Sequence, residues 1–333
     1  MLVTVKKALF GSKNQFFVIG LPSIEDKKEF TSPYFALKTF KKITANAAEE
    51  ITLGIIKMVL KIYLVLISMV VKQERFGLLS SGEAVSLFTV SNGIMSFSAI
   101  DYGCCITSIL LPAERGGYDD VVLGYSTLEG YIYNKPHFGA IIGRCAGRIA
   151  NATFSLEGKR YELTHNDGGK HCLHGGYPFY DKQLWKAETI SGSDEAGICF
   201  SKTSFDGEQG FPGEVHITVS YILNKNNTVS LRYEATTTKT TPISLTNHSY
   251  FNLGEESAEE HILSINADKI TPLDKRLIPT GEFMYVRGTP LDFRMPKKIG
   301  DGISSSFEQI RLANGYDFNY VINDYNGDLR PLD

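Results

Sequence analysis

The chain has 333 residues, 43% hydrophobic and 21% charged, enough for a substantial buried core in one to three domains. The net charge of −3 hides an asymmetry: residues 1–72 carry 11 lysines against 5 acids, and the remainder carries 23 bases against 32 acids. An acidic body without KH, RRM or zinc-finger patterning argues against nucleic acid or another polyanion as partner. The five cysteines are odd in number and contain no CxxC, so a disulfide framework is not expected, a reducing compartment is favoured, and cysteine-based zinc binding has little support.

Residues 1–40 show no sustained period. Residues 53–71, LGIIKMVLKIYLVLISMVV, are apolar apart from Lys57, Lys61 and Ser68. The charge-free part, Ile62 to Val71, is only ten residues long, short of the ~20 that cross a bilayer. MVVKQERFG, from Met69, reads as an ordinary start for a cytosolic domain. Residues 1–72 are therefore expected to form an extension outside the functional domain, and the location to be cytoplasmic. The alternative is a membrane anchor through residues 53–71, with its lysines snorkelling.

From Glu74 onward the pattern changes to short alternating runs. Ser86–Val90, Ile94–Ile100, Ile106–Leu111 and Val121–Leu123 read as strands. ATFSLEGKRYEL reads as a hairpin turning at Gly158. In GEVHITVSYIL, Val215, Ile217, Val219, Tyr221 and Leu223 share one face. After the turn cluster NKNNT, Val229, Leu231, Tyr233 and Ala235 share the matching face of VSLRYEA. Helical periodicity is scarce and no linker interrupts residues 74–333. The class is all-β, a sandwich or barrel.

Four stretches concentrate polar chemistry. GRCAGRIANATF places Arg144 and Arg148 in a small, apolar context, where each either braces the fold or faces a cleft. NDGGKHCLHGG holds four glycines, which permit close approach of backbone to a ligand. It also holds His171 and His174, either of which could bond a substrate or simply sit in a structural turn. LTNHSYFNL carries His248, a side chain able to give and regain a proton near neutral pH, with Asn247, Ser249 and Asn252 to hold substrate or the loop. ANGYDFNYVIN carries Asp317, whose carboxylate suits adjacent hydroxyls of a sugar diol or the cap of a turn. A metal site of His171, His174 and His248, as in cupin-like folds, is the competing arrangement. It lacks a tight HxH-plus-acid cluster.

Together these stretches resemble the aldose 1-epimerase (galactose mutarotase) family. The resemblance rests on ITSILLP, DDVVLGY, GRCAGRIANATF, KHCLHGG, GFPGEVHITVSY, LTNHSYFNL, ITPLDKRLIPTGE, GTPLDFR and GYDFNYV, in family order from about Phe76 to Val321. It implies a large antiparallel β-sandwich with an open sugar cleft over residues 74–333. It implies an isomerase interconverting the α and β anomers of free galactose and glucose, without metal or organic cofactor. His248 matches the family's general acid, His174 its sugar-binding histidine that helps polarise the ring oxygen, Arg148 a substrate-contacting arginine, and Asp317 the aspartate that binds ring hydroxyls.

Three departures from the family pattern stand out. Gly147 stands where asparagine is frequent, and Phe318 where histidine is frequent. No residue matches the family's catalytic-base glutamate, which lies well beyond the GYD motif. The chain is accordingly expected to lack its last segment. It is then either an active mutarotase or a non-catalytic member that at most binds sugar.

Overall fold

The computed structural model describes residues 15–19, 69–254, 256–324 and 331–332. Most of the apolar run, residues 53–68, lies outside them. No helix among the described residues is long and apolar enough to cross a membrane.

Two sheets face each other. The larger runs, in spatial order, through Lys186–Ile190, Glu195–Ser204, Val215–Asn224, Val229–Thr237, Gln15–Ile19 and Pro331–Leu332. Neighbours are antiparallel except the last pair, which is parallel. The smaller is a five-stranded antiparallel meander of Val70–Leu78, Ala84–Ser91, Ser96–Ile100, Ile106–Pro112 and Tyr118–Asp120. The period-2 reading explains the join. Val215, Ile217, Val219, Tyr221 and Leu223 are all fully buried, as are Val90, Phe97 and Ala99 of the facing sheet. Phe88 meets Phe200 edge-on at 6.1 Å, and Phe97 meets Tyr221 at 6.4 Å, so the two inner faces interdigitate. The core face of the Val229 strand ends early: Ala235 is exposed.

One expected strand moves. The segment expected at Val121–Leu123 is instead a bridge from Val122 to Phe251, and the strand is Tyr118–Asp120. Asp120 explains the stop. Its Oδ1 accepts from the N–H groups of both Ile109 and Val122, taking over the ladder at that point. The hairpin at Gly158 forms as expected. Thr153–Leu156 pairs with Lys159–Glu162 across Glu157 and Gly158, both in the left-handed region that a tight two-residue hairpin turn needs.

Short pairings at one end of the sandwich carry the polar loops. Ile141–Ile142 pairs with Thr246–Asn247, and Arg148–Ile149 with Cys172–Leu173. A three-stranded sheet of Met284–Tyr285, Ala267–Thr271 and Asn319–Ile322 brings Asp317 alongside. Phe318 is buried in the small core beneath that sheet.

Candidate active site

The loops enclose one cleft of about 850 Å³, within the range of small-molecule sites. His174, His248, Arg148 and Asp317 all line it, together with Tyr250 and a residue that sequence reasoning missed, His137. Three histidines therefore meet. The His174 and His248 rings are 5.3 Å apart, His137 and His174 5.3 Å, and His137 and His248 5.8 Å between centroids.

Each histidine is set by an asparagine that both donates to and accepts from nearby backbone. Asn134 donates to the Phe138 carbonyl (3.1 Å) and accepts from the Phe138 N–H (2.8 Å), clipping the turn that bears His137. Asn166 does the same to Leu173, at 2.9 and 2.8 Å, immediately before His174. Asn247 donates to the Gly139 carbonyl (2.7 Å) and accepts from the Ser249 N–H (2.9 Å), straddling His248. Asn247 is thus a brace for its loop. The His248 backbone also donates to Ala140 and accepts from Gly139, tying it to the turn that carries His137. His137 and His174 both have positive φ, 59° and 55°. Backbone held in this sparsely populated region is typical of functional sites.

The glycines of LHGG have a specific cause. Gly175 has φ +86°, and a Cβ there would lie 1.9 Å from the Gly143 carbonyl oxygen. Only glycine lets the His174 turn close onto the segment that bears the two arginines. Gly147 is the matching contact. Its N–H donates to His174 Nδ1 (3.2 Å), while the His174 N–H donates to the Gly147 carbonyl (3.0 Å). Because Nδ1 accepts, the neutral His174 ring carries its proton on Nε2.

His137 has the opposite tautomer. Its Nδ1 lies 3.0 Å from Oδ2 of Asp181, a fully buried carboxylate, so Nδ1 carries the proton and Nε2 the lone pair. Lys182 Nζ lies 3.1 Å from the same Asp181 oxygen. A histidine among apolar residues in HFGAII, and a lone acid in the aromatic stretch FYDKQLW, were the available signals. Neither spacing ties the two together, since they are 44 residues apart.

The two arginines divide the alternatives left open. Arg144 is fully buried and braces the fold. It donates to the carbonyls of Ser204, Phe205, Pro212 and Gly213 and to the hydroxyls of Ser204 and Thr241. Carbonyl dipoles take the place of the carboxylate that a buried arginine ordinarily requires. Arg148 lines the cleft and is held by a single ion pair, Nε to Asp167 Oδ2 at 2.9 Å.

His171 does not join the other histidines. It is buried, and its Nδ1 accepts from the Asn151 N–H (2.9 Å). Among the described residues no group of three or more His, Cys, Asp or Glu side chains is arranged to hold a metal ion. Asp317 is exposed at the cleft and acts on Tyr250, whose phenol is pushed up by burial and then by the Asp317 charge. The cleft thus offers imidazole donors and an imidazole acceptor, a guanidinium and a carboxylate, with aromatic walls. Such a set can grip a neutral polyhydroxy ligand and move protons on and off it.

Comparison with known proteins fits this chemistry. The profile of the aldose 1-epimerase family matches residues 86–331. The galactose mutarotase of Bos taurus is 41% identical over 241 residues, covering 72% of this chain and 67% of the relative. The aldose 1-epimerase of Escherichia coli (strain K12) is 36% identical over 252 residues, covering 75% and 71%. Among solved structures, the galactose 1-epimerase from Lactobacillus acidophilus NCFM superposes with a TM-score of 0.72 at 29% identity, covering 78% of this chain and 76% of that one. The chain belongs to the aldose 1-epimerase family.

Proposed function

We propose that the chain interconverts the α and β anomers of free aldohexoses, galactose and glucose, by acid–base opening and closing of the ring. The observation that supports this most is the meeting of His174 and His248 at 5.3 Å in a cleft that also presents Arg148 and Asp317. Asp317 accepts from adjacent ring hydroxyls, and Arg148 donates to another, fixing the sugar against the histidines. His174, protonated on Nε2, donates toward the ring oxygen O5 and polarises the C1–O5 bond. His248, as imidazolium, delivers its proton to O5 while a base removes the proton from O1. The C1–O5 bond breaks and the open aldehyde forms. After rotation about C1–C2 the O5 hydroxyl adds to the other face of the carbonyl, and both protons return. The net reaction moves no proton, so the site regenerates itself in each cycle.

Exchange between the α and β anomeric proton signals of galactose and of glucose, followed by NMR in the presence of the purified chain, tests the reading. Exchange well above the spontaneous rate is expected. Saturable sugar binding with exchange at the spontaneous rate would overturn it and leave a sugar-binding member of the family.

A further inference from the structure

Two side chains of NDGGKHCLHGG, Asp167 and His171, do not line the cleft. They close a small hairpin on each other. The Asp167 N–H donates to the His171 carbonyl (3.0 Å), and the His171 N–H donates to the Asp167 carbonyl (2.9 Å). Gly168 and Gly169, with φ of +58° and +67°, turn the tip, where an added Cβ would meet nothing within 4 Å. The ends of this hairpin, and not its tip, are therefore what the rest of the fold engages.

From each end one side chain reaches back to the segment that bears Arg148. Asp167 Oδ2 accepts from Arg148 Nε at 2.9 Å. His171 Nδ1 accepts from the Asn151 N–H, also at 2.9 Å. Asn151 has φ 53° and lies just past the short strand Arg148–Ile149, so its N–H has no place in that ladder and needs another acceptor. The buried His171 ring supplies it. The backbone closes the other side. Arg148 stands opposite Leu173 in the strand pair, and Leu173 is clipped by Asn166, the neighbour of Asp167. Arg148, Asp167, His171 and Asn151 form one closed circuit.

The circuit bears directly on the cleft. An arginine side chain has several free torsions, and ordering them on a ligand weakens binding unless the protein has ordered them already. With Nε given to Asp167, the terminal nitrogens of Arg148 make no hydrogen bond to protein among the described residues, so that edge of the guanidinium is left for a ligand. The pair is partly open to solvent, with side-chain exposures of 22% and 27%, so it adds little to folding. Orientation is what it can supply. His174 follows Leu173 directly, and its N–H donates to the carbonyl of Gly147, the neighbour of Arg148. The same frame thus fixes the arginine relative to the histidine that faces the ring oxygen.

We propose that Asp167 and His171 are positioning residues for sugar binding: Asp167 holds the Arg148 guanidinium in its ligand-ready orientation, and His171 anchors the hairpin that carries Asp167. This rests on the contact between Arg148 and the sugar in the reading above. Neither side chain touches the ligand. Because Arg148 is ordered before the sugar arrives, the effect falls on affinity and not on the proton transfers.

The experiment uses the full chain and measures anomer-exchange kinetics, the galactose Kd by NMR titration, and Tm. Asp167→Ala is expected to raise KM and Kd about 5–10-fold, with kcat within about 2-fold and Tm within about 2 °C of the parent. In an Arg148→Met background the same substitution is expected to change KM and Kd by less than about 2-fold, because the arginine it orients is gone. A purely structural role would carry its effect into both backgrounds. His171→Leu leaves the Asn151 N–H without its acceptor and is expected to raise KM about 5-fold, whereas His171→Asn, whose side-chain oxygen can take the place of Nδ1, is expected to bring KM back within about 2-fold of the parent. Asp167→Asn replaces Asp167→Ala in both backgrounds if the latter does not fold, with a rise of at least about 3-fold expected in the parent background. A folded Asp167 variant with unchanged KM and Kd overturns the proposal, as does an equal rise in the Arg148→Met background or a His171→Asn as impaired as His171→Leu. Such results with an active parent remove this proposal alone. A parent that binds galactose but gives only spontaneous exchange removes the ring-opening reading, and the Kd series then decides this proposal by itself; a parent that neither binds nor exchanges removes both.

Discussion

The two arginines of GRCAGRI provide a sharp test because, four residues apart, Arg144 is fully buried against loop carbonyls while Arg148 lines the cleft. Arg144→Met keeps the aliphatic bulk but removes the guanidinium that serves four carbonyls and two hydroxyls. The Pro212 and Gly213 carbonyls, received at 2.9 and 3.0 Å, lose that donor. Stranding two buried acceptors costs about 1–3 kcal/mol each. The end of the Glu195–Ser204 strand is loosened as well, because Ser204 Oγ and O lose their contacts. A net loss of about 4 kcal/mol follows, or roughly 10 °C in Tm for a domain of this size. Arg148→Met breaks only one partly exposed ion pair, worth about 0.5–1 kcal/mol and roughly 2 °C. Its effect belongs on KM, which should rise about 10-fold or more as a charge-assisted bond to the sugar is lost. Differential scanning fluorimetry and anomer-exchange kinetics on the two variants separate the duties. Equal Tm losses, or an Arg144→Met Tm within about 2 °C of the parent, would refute the assignment of bracing to Arg144 and ligand contact to Arg148.

Asp317→Asn should raise the KM for galactose about 10–100-fold while leaving Tm within about 2 °C, because the side chain is exposed and its proposed partner is the sugar; unchanged KM counts against that role. Gly175→Ala should cost about 3 kcal/mol or more, read as a Tm loss near 8 °C with loss of exchange, because its Cβ would meet the Gly143 carbonyl at 1.9 Å in a left-handed turn; a stable, active variant would show that the His174 turn is not so constrained. Asp101 tests linkage. Burial raises its pKa from 3.8 to about 6 against the opposing Ser86 N–H bond, so the folded state holds the proton that the unfolded chain releases. Stability is then greatest below pH 4 as far as this group is concerned, and is lost as pH rises to about 6. Asp101→Asn should therefore raise Tm at pH 8 and not at pH 4; an equal effect at both would contradict the shift.

The sheets were legible because alternation is dictated by one buried face. Val215 to Leu223 reads the same in the sequence and in the core. The boundary at Asp120 was not legible, because a side-chain acceptor there ends the ladder and composition carries no sign of it. His174, His248, Arg148 and Asp317 were found through local motifs, and all four line one cleft. His137 was missed because its place in the cleft depends on Asp181, 44 residues away, and on the turn clipped by Asn134. The duties of Arg144, His171 and Asn247 could not be separated from those of ligand contacts by residue type. Only their partners, respectively loop carbonyls, the Asn151 N–H, and the Gly139 carbonyl with the Ser249 N–H, decide.

The central claim is that protons move between the sugar and the histidine wall of this cleft. Polarimetry of freshly dissolved α-D-galactose, with the parent chain beside a folded His248→Ala variant, tests it most directly. The account predicts mutarotation well above the spontaneous rate for the parent and at the spontaneous rate for the variant. Equal acceleration by both would contradict it.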